Sequence, residues 1–412
     1  MTRRLSLAAS FGLLASILVI APAAHTAPTA QAAETTSSAS RSAGTSAQAS
    51  AAQIVADLGA GWNLGNSLES NANGYPSETA WNNPAVTQAL IDRVKAAGFK
   101  SIRIPVSYLR HIGAGPNYAI NSDWLNRIQQ VVNYAYYRGM NVMINMHGDG
   151  YKSIPYAWLI CDSSNQTEIK AKYQKVWQQI AYRFQNYDHR LILESMNENF
   201  DGQYGRPTQP CYSNINAYNQ IFVDTVRKTG GYNSSRWLLV PGWNTNIDYT
   251  AGNYGFVVPT DWYRSPSIPS NEQRIMISVH YYAPWDFAGE ENGTITQWGR
   301  GATNPARKST WGQEDYLNSQ LKLMYDKFVV RGYPVVVGEY GSIDKTFADS
   351  SNNRYRADFA RAVVSTSKRY GAATFYWDNG VNGQYGFGLF NRSTNAVTQQ
   401  GIIDAIRSGV SS

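Results

Sequence analysis

The 412-residue chain is poor in the residues that build metal sites and charged interfaces. Two cysteines and five histidines are too few and too scattered for a tetrahedral metal shell, so no metal and no cofactor is expected. Charged residues make up 16% of the sequence, and although 36 Lys and Arg outnumber 29 Asp and Glu, no basic run exceeds an adjacent pair. A nucleic-acid groove needs clustered cations, so the net charge of +7 is a diffuse excess and no nucleic-acid partner is expected. No stretch reaches about 18 consecutive apolar residues, which argues against a spanning helix and a membrane anchor. Nor does a Gly-rich loop open a helix after the first strand, as a dinucleotide-binding sheet would require, because Gly59-x-Gly61 leads into a strand instead.

What is present begins with an N-terminal address. Arg3 and Arg4 precede an apolar run over residues 5–20, and small residues follow, with Ala30-Gln31-Ala32 as a cleavage site and Ala21-Pro22-Ala23 as its rival. That pattern predicts a secretory signal peptide over 1–32 and a secreted, extracellular protein. The paired arginines permit a twin-arginine route, although their neighbours match that motif poorly. Residues 33–52 are Ala, Ser, Thr, Gln and Gly with almost no large side chain, the composition of a flexible leader. From 53 to 410 the chain is dense and periodic with no second linker, so one domain and a monomer are expected. In an exported chain Cys161 and Cys211 are expected to pair, the alternative being two free buried thiols.

Aromatic residues are abundant, at 13%, with 28 Tyr and 12 Trp. Flat amphipathic rings suit partners with apolar C–H faces and many hydroxyls, which describes sugars. Short β-branched runs at 60–66, 101–107, 141–147, 191–198, 236–243, 275–282, 334–341 and 372–379 alternate with helical periodicities such as Ile169, Tyr173, Val176, Trp177, Ile180 and Phe184. Eight such units predict an α/β fold, a single (β/α)8 TIM barrel, in which the helix of the fifth unit is the least evident. An open doubly wound sheet is the rival.

A barrel of this kind carries its chemistry at the C-terminal ends of its strands. In order, those ends offer Asn63 and Asn66, Arg103, His147, Asn197 and Glu198, Trp243, His280 and Tyr282, Glu339, and Trp377. A buried carboxylate is costly unless it is paired or functional. Glu198 and Glu339 end the fourth and seventh strands, the pair that a retaining glycosidase requires: one acid/base and one nucleophile. Glu194 shares the parity of Glu198 but lies deeper, as a buried structural acid would. His147-Gly148-Asp149 has the look of a metal motif without the further histidines to complete it, and His111 is expected to anchor a loop.

The segments Gly61-Trp62-Asn63-Leu64-Gly65-Asn66, Arg103-Ile104-Pro105-Val106, Asn145-Met146-His147, Asn197-Glu198, His280-Tyr281-Tyr282, Gly338-Glu339-Tyr340-Gly341 and Tyr376-Trp377-Asp378-Asn379-Gly380 resemble glycoside hydrolase family 5, a cellulase family, from about residue 60 to 380. The resemblance implies Glu198 as acid/base, Glu339 as nucleophile, and Asn63, Asn66, Arg103, His147, Asn197, His280, Tyr282 and Trp377 as substrate-binding residues. It implies no cofactor and a β-glucan polysaccharide as substrate, cut at internal β-1,4 bonds. Xyloglucan, mannan, xylan or mixed-linkage glucan on the same machinery is the alternative, and a carbohydrate-binding barrel without catalysis is the reading from another class. Gly148 stands where many relatives have a second His, and Asn199 where Pro usually follows the acid/base. Arg103 and Tyr282 near Glu339 would favour its charged form, and that charge would raise the pKa of Glu198.

Overall fold

Eight buried, mostly apolar segments form eight parallel strands: β1 (Ala60–Leu64), β2 (Ser101–Ile104), β3 (Asn141–Ile144), β4 (Leu191–Glu194), β5 (Leu238–Pro241), β6 (Ile275–Tyr281), β7 (Val335–Tyr340) and β8 (Ala372–Asp378). Each pairs with the next and β8 with β1, closing a barrel. This computed structural model describes residues 50–412, so the expected signal peptide and the leader up to residue 49 lie outside the described residues. Ten α-helices accompany the strands: α1 (Ala51–Leu58), α2 (Gln88–Ala96), α3 (Ser122–Tyr136), α4 (Gln166–Phe184), α5 (Cys211–Lys228), α6 (Ile247–Ala251), α7 (Trp285–Ala288), α8 (Glu314–Lys327), α9 (Asn352–Arg369) and α10 (Gln400–Ser411). Among the described residues no helix is long and apolar enough to cross a membrane.

Strand parity divides the core in two. Outward residues such as Ile102, Ile104, Val142, Ile144, Leu191, Leu193, Val335 and Val337 join the helices in one continuous cluster. Inward Met143, Ile192, Trp237, Leu239, Met276, Val336, Ala373 and Phe375 fill the barrel, and Ile54 and Leu58 of α1 close its lower end. The bottom is therefore a packed plug, where Ser101 and Asn141 bond the carbonyls of Leu58 and Asp57, and the charged side chains gather in the upper layer.

Every one of the eight strands was expected to run further than it does. Asn66, His147, Asn197 and Glu198 lie in the segments that follow β1, β3 and β4, not on the strands themselves. Past Ile104 and Ile144 the ladder gives way to other partners: the Val106 N–H donates to Asn145 Oδ1 at 3.1 Å, and the His147 N–H to the Val106 carbonyl at 2.7 Å. The apolar pattern continues there while the pairing stops. In the fifth unit, the helix is reduced to the five residues of α6. The chain beyond it is held by side chains of α5 in place of a helix's own bonds: Asn216 Nδ2 donates to the Gly255 carbonyl, Gln220 Nε2 to that of Thr260, and Arg227 pairs with Asp261 at 2.8 Å.

Candidate active site

The upper layer of the barrel is organised around Arg103, which points inward from β2 and is fully buried. Nε donates to Glu194 Oε2 at 2.7 Å, Nη1 to Glu339 Oε1 at 2.8 Å and to Asn63 Oδ1 at 3.0 Å, and Nη2 to Asn197 Oδ1 at 2.9 Å. Burial alone would lower its pKa, but the charges of Glu194 and Glu339 outweigh burial and raise it. Glu194 is completed by Asn145 at 3.1 Å and Ser278 at 2.8 Å, so it is the structural acid of the layer.

Glu339 reaches this layer through a bulge. Val337 pairs with Val279, but the next partner of His280 is Glu339, so Gly338 is an extra residue on β7, and the register with β8 shifts as well. Without it Glu339 would face the helices; with it the side chain enters the mouth. Asn63 Nδ2 donates to the Gly338 carbonyl at 2.8 Å. Both ends of the Asn63 amide are thus used by the protein. Asn63 and Arg103 were expected to bind substrate; both lie sealed beneath the cleft, where they hold the groups that line it.

Four donors meet the two carboxyls. Tyr282 donates to Glu339 Oε2 at 3.0 Å, opposite Arg103. On Glu198, His280 Nδ1 shares a 2.7 Å hydrogen bond with Oε1 and the Tyr151 hydroxyl donates to Oε2. One ligand atom each of Glu198, His280 and Glu339 lie within 4.8 Å of one another. Of the described residues they form the one such acidic cluster, but a cation there would have to displace the protons of Arg103, Tyr282 and Tyr151, so the set suits proton transfer better than a metal. Tyr151 and Tyr282 remain protonated, because burial and the neighbouring glutamates push both phenols well above their usual range.

The carboxyls separate in the opposite direction to the expectation. Burial, the largest influence on Glu339, raises its pKa despite Arg103. Burial acts on Glu198 in the same sense, but His280, Tyr151 and Arg103 together bring it below its ordinary value.

The walls follow from the same anchors. Arg103 takes the side-chain carbonyl oxygen of Asn197, which leaves the amide NH2 as the end of Asn197 that can donate to a ligand. Asn145 Nδ2 donates to His147 Nδ1 at 3.1 Å, which fixes the proton of a neutral imidazole on Nε2, and burial with the charges of Arg103 and His280 pushes its pKa well down. Trp377, half-buried at the top of β8, lies parallel to the His147 ring with centroids 6.1 Å apart. A Cβ on Gly65 would stand 2.9 Å from the Trp377 ring, so only glycine lets the indole lie against the loop after β1. Asn66 follows in a left-handed turn, its backbone held by Glu69 and Asn83 and its side chain uncommitted. Of the other tryptophans after strands, Trp243 and Trp298 are buried, Trp158 bonds Asp149 at 2.7 Å, and Trp285 meets Tyr282 edge-on at 6.2 Å.

Asp149 is turned away from His147 to accept the N–H groups of Tyr108 and Leu109 at 2.9 and 2.7 Å, which ends the resemblance to a metal motif. A Cβ on Gly148 would come within 2.6 Å of Ser107 Oγ, which accepts the Gly148 N–H at 2.9 Å, so a larger residue there would turn Ser107 away from that bond. Asn199 donates to the Leu159 carbonyl at 2.8 Å, a tie that a proline could not make. Cys161 and Cys211 are bridged, joining the loop after β3 to the start of α5. A closed loop of 50 residues contributes about 4 kcal/mol on the chain-entropy model. The double Cys→Ala variant is expected to melt earlier and raise KM with the barrel intact; an unchanged melting temperature would show the bridge to be redundant.

Two glutamates of a barrel mouth, close together and each gripped by proton donors, beside a tryptophan face, define a glycoside hydrolase. A family model described as Cellulase (glycosyl hydrolase family 5) matches residues 65–383. The chain belongs to glycoside hydrolase family 5. It is 69% identical over 361 residues to Endoglucanase A of Paenibacillus barcinonensis, covering 88% of this chain and 90% of that one. Among solved structures it is similar to a family 5 xyloglucanase from Paenibacillus pabuli in complex with ligand, at 69% identity and a TM-score of 0.86, over 87% of this chain and 100% of that one. A GH5-4 broad specificity endoglucanase from Bacteroides salanitronis matches at 38% identity and a TM-score of 0.81, over 89% and 96%.

Proposed function

We propose that this protein is an exported, monomeric endo-β-1,4-glucanase that works with net retention, Glu339 being the nucleophile and Glu198 the acid/base. The observation that supports the reading is that one oxygen of each carboxyl lies within 4.8 Å of the other, with His280 Nδ1 between them at 2.7 Å from Glu198 Oε1 and 3.6 Å from Glu339 Oε2. A retaining pair stands about 5–5.5 Å apart, whereas an inverting pair needs about 6.5–9.5 Å to admit a water. In the first step a Glu339 oxygen bonds to the anomeric carbon while the glycosidic bond breaks and Glu198 protonates the departing oxygen. Water then attacks, Glu198 takes its proton, and Glu339 leaves as carboxylate. The Asn197 side-chain N–H meets the sugar 2-OH, and His147 offers its Nε2–H to a neighbouring hydroxyl.

Export rests on the charged, apolar and small-residue pattern of residues 1–32, and a bridged cysteine pair suits an oxidising compartment. Relatives named endoglucanase and xyloglucanase stand at the same 69% identity, which favours a β-1,4-glucan backbone with tolerance of branches. Reducing-sugar release across carboxymethylcellulose, xyloglucan, mixed-linkage glucan, xylan and mannan tests this directly. Release from the glucans is expected; release from mannan or xylan alone would overturn the substrate class.

Trp377 gives the sugar beside the cleaved bond a face to stack on, and distortion towards the oxocarbenium state occurs in that sugar. Trp377→Ala is therefore expected to lower kcat by about two orders of magnitude with a smaller change in KM. A near-normal kcat on the best polymer would make Trp377 a packing residue only.

A further inference from the structure

We propose that Tyr151 is the positioning residue of the acid/base: its hydroxyl holds the Glu198 carboxyl in one rotamer and sets how tightly that carboxyl keeps its proton. The proposal rests on the assignment of Glu198 above. Tyr151 follows the short turn Gly148–Gly150 after β3, and none of the strand-end positions points to it. Its ring is fixed edge-on to Phe200 at 6.2 Å, in the segment that follows Glu198 itself. Tyr151 grips Oε2 while His280 grips Oε1, so rotation of the carboxyl is blocked from two sides of the mouth. The loop that carries Tyr151 is tied to the Glu198 segment by Asn199 and by Lys152, which donates to the Asp201 carbonyl at 2.9 Å.

Tyr204 extends the arrangement outward. It packs on Phe200 at 4.8 Å, is 42% exposed, and lies close enough for Glu198 and Tyr151 to act on its ionisation, which burial raises first. Its φ of 48° is a conformation that a bulky residue takes at a cost, so the surrounding loop holds the ring there. The departing sugar thus meets a wall that reaches the acid/base through Tyr151. The charged and titratable groups around Glu198 are Arg103 on β2, Tyr151 after β3, Tyr204 after β4, His280 and Tyr282 at the end of β6, and Glu339 on β7. Of these only Tyr151 and His280 bond directly to its oxygens. No proton of Tyr151 is transferred in either half-reaction. It stabilises the carboxylate after the proton has gone to the leaving oxygen and before the next arrives from water.

A donor to a carboxylate lowers its pKa, so removing it lets Glu198 stay protonated to higher pH. In Tyr151→Phe the limb of kcat/KM that follows Glu198 should move up by about one pH unit and the optimum value should fall about tenfold. Incorporation of 3-fluorotyrosine at 151, a stronger donor of the same shape, should move the limb down. An even fall across pH with both limbs unmoved in the two variants would overturn the proposal, leaving Tyr151 a packing residue. Glu198→Ala with azide separates the two assignments. Rescue with formation of a β-glycosyl azide, but no movement of the limb at 151, overturns only Tyr151. Absence of rescue overturns the acid/base assignment and the proposal with it.

Discussion

Glu339→Gln is expected to lose about four to six orders of magnitude in kcat while still folding and retaining polymer. An amide oxygen does not attack the anomeric carbon, but the amide fits the site. Its oxygen accepts from Arg103 as Glu339 Oε1 does at 2.8 Å, and its NH2 donates to the Tyr282 oxygen in reversal of the present 3.0 Å bond. Loss of activity would then reflect chemistry and not collapse of the mouth. Glu198→Gln separates from it by leaving group. An aryl glycoside with an activated phenol departs without an acid, so Glu198→Gln should show a burst of phenol followed by slow turnover, and Glu339→Gln should show neither. Rapid-mixing kinetics with a melting curve for each variant check the pair, and a burst from Glu339→Gln would reverse the roles.

Arg103→Met is expected to cost about 3–5 kcal/mol of stability as well as activity. The side chain is fully buried. Its loss leaves Glu194 without its only cation and Glu339 without its ion pair, two carboxylates in one layer. Asn63 and Asn197 lose the donor that orients their amides. Arg103→Lys restores a charge but not the fork that reaches four acceptors, so it should recover part of the stability and little of kcat. Urea melts and kcat of both variants test this; an Arg103→Met protein as stable as the parent would show that the layer is held from elsewhere.

The barrel was legible because eight β-branched runs alternate with helical periodicities, and that signal survives the short α6, whose absent turns are replaced by Asn and Gln side chains of α5. Strand ends were less legible: the apolar pattern persists to Val106 and Met146, whereas pairing stops at Ile104 and Ile144. Glu198, Glu339, His280 and Tyr282 do come together, and Glu194 is structural as its depth suggested. The sequence does not reveal which polar groups spend their bonds on one another, so Asn63 and Arg103 read as substrate-binding residues, whereas both are buried and bonded to the groups around them. Nor does strand parity alone place Glu339, because the extra residue at Gly338 inverts it. Tyr151 carries no periodic signal and enters from a loop, and its bond with that of His280 reverses the expected order of the two carboxyl pKa values. Pairing of Cys161 with Cys211, by contrast, needed only a count of two.

The central claim is that Glu339 bonds covalently to the sugar in the course of a retaining reaction. A 2-deoxy-2-fluoro glycoside of cellobiose with a good leaving group forms that bond and turns over slowly, because the fluorine destabilises the oxocarbenium-like state of the second step. Peptide mass spectrometry after incubation should find the fluorinated sugar on the peptide containing Glu339 and on no other carboxylate. A label on Glu198, Glu194 or any other carboxyl would contradict the account.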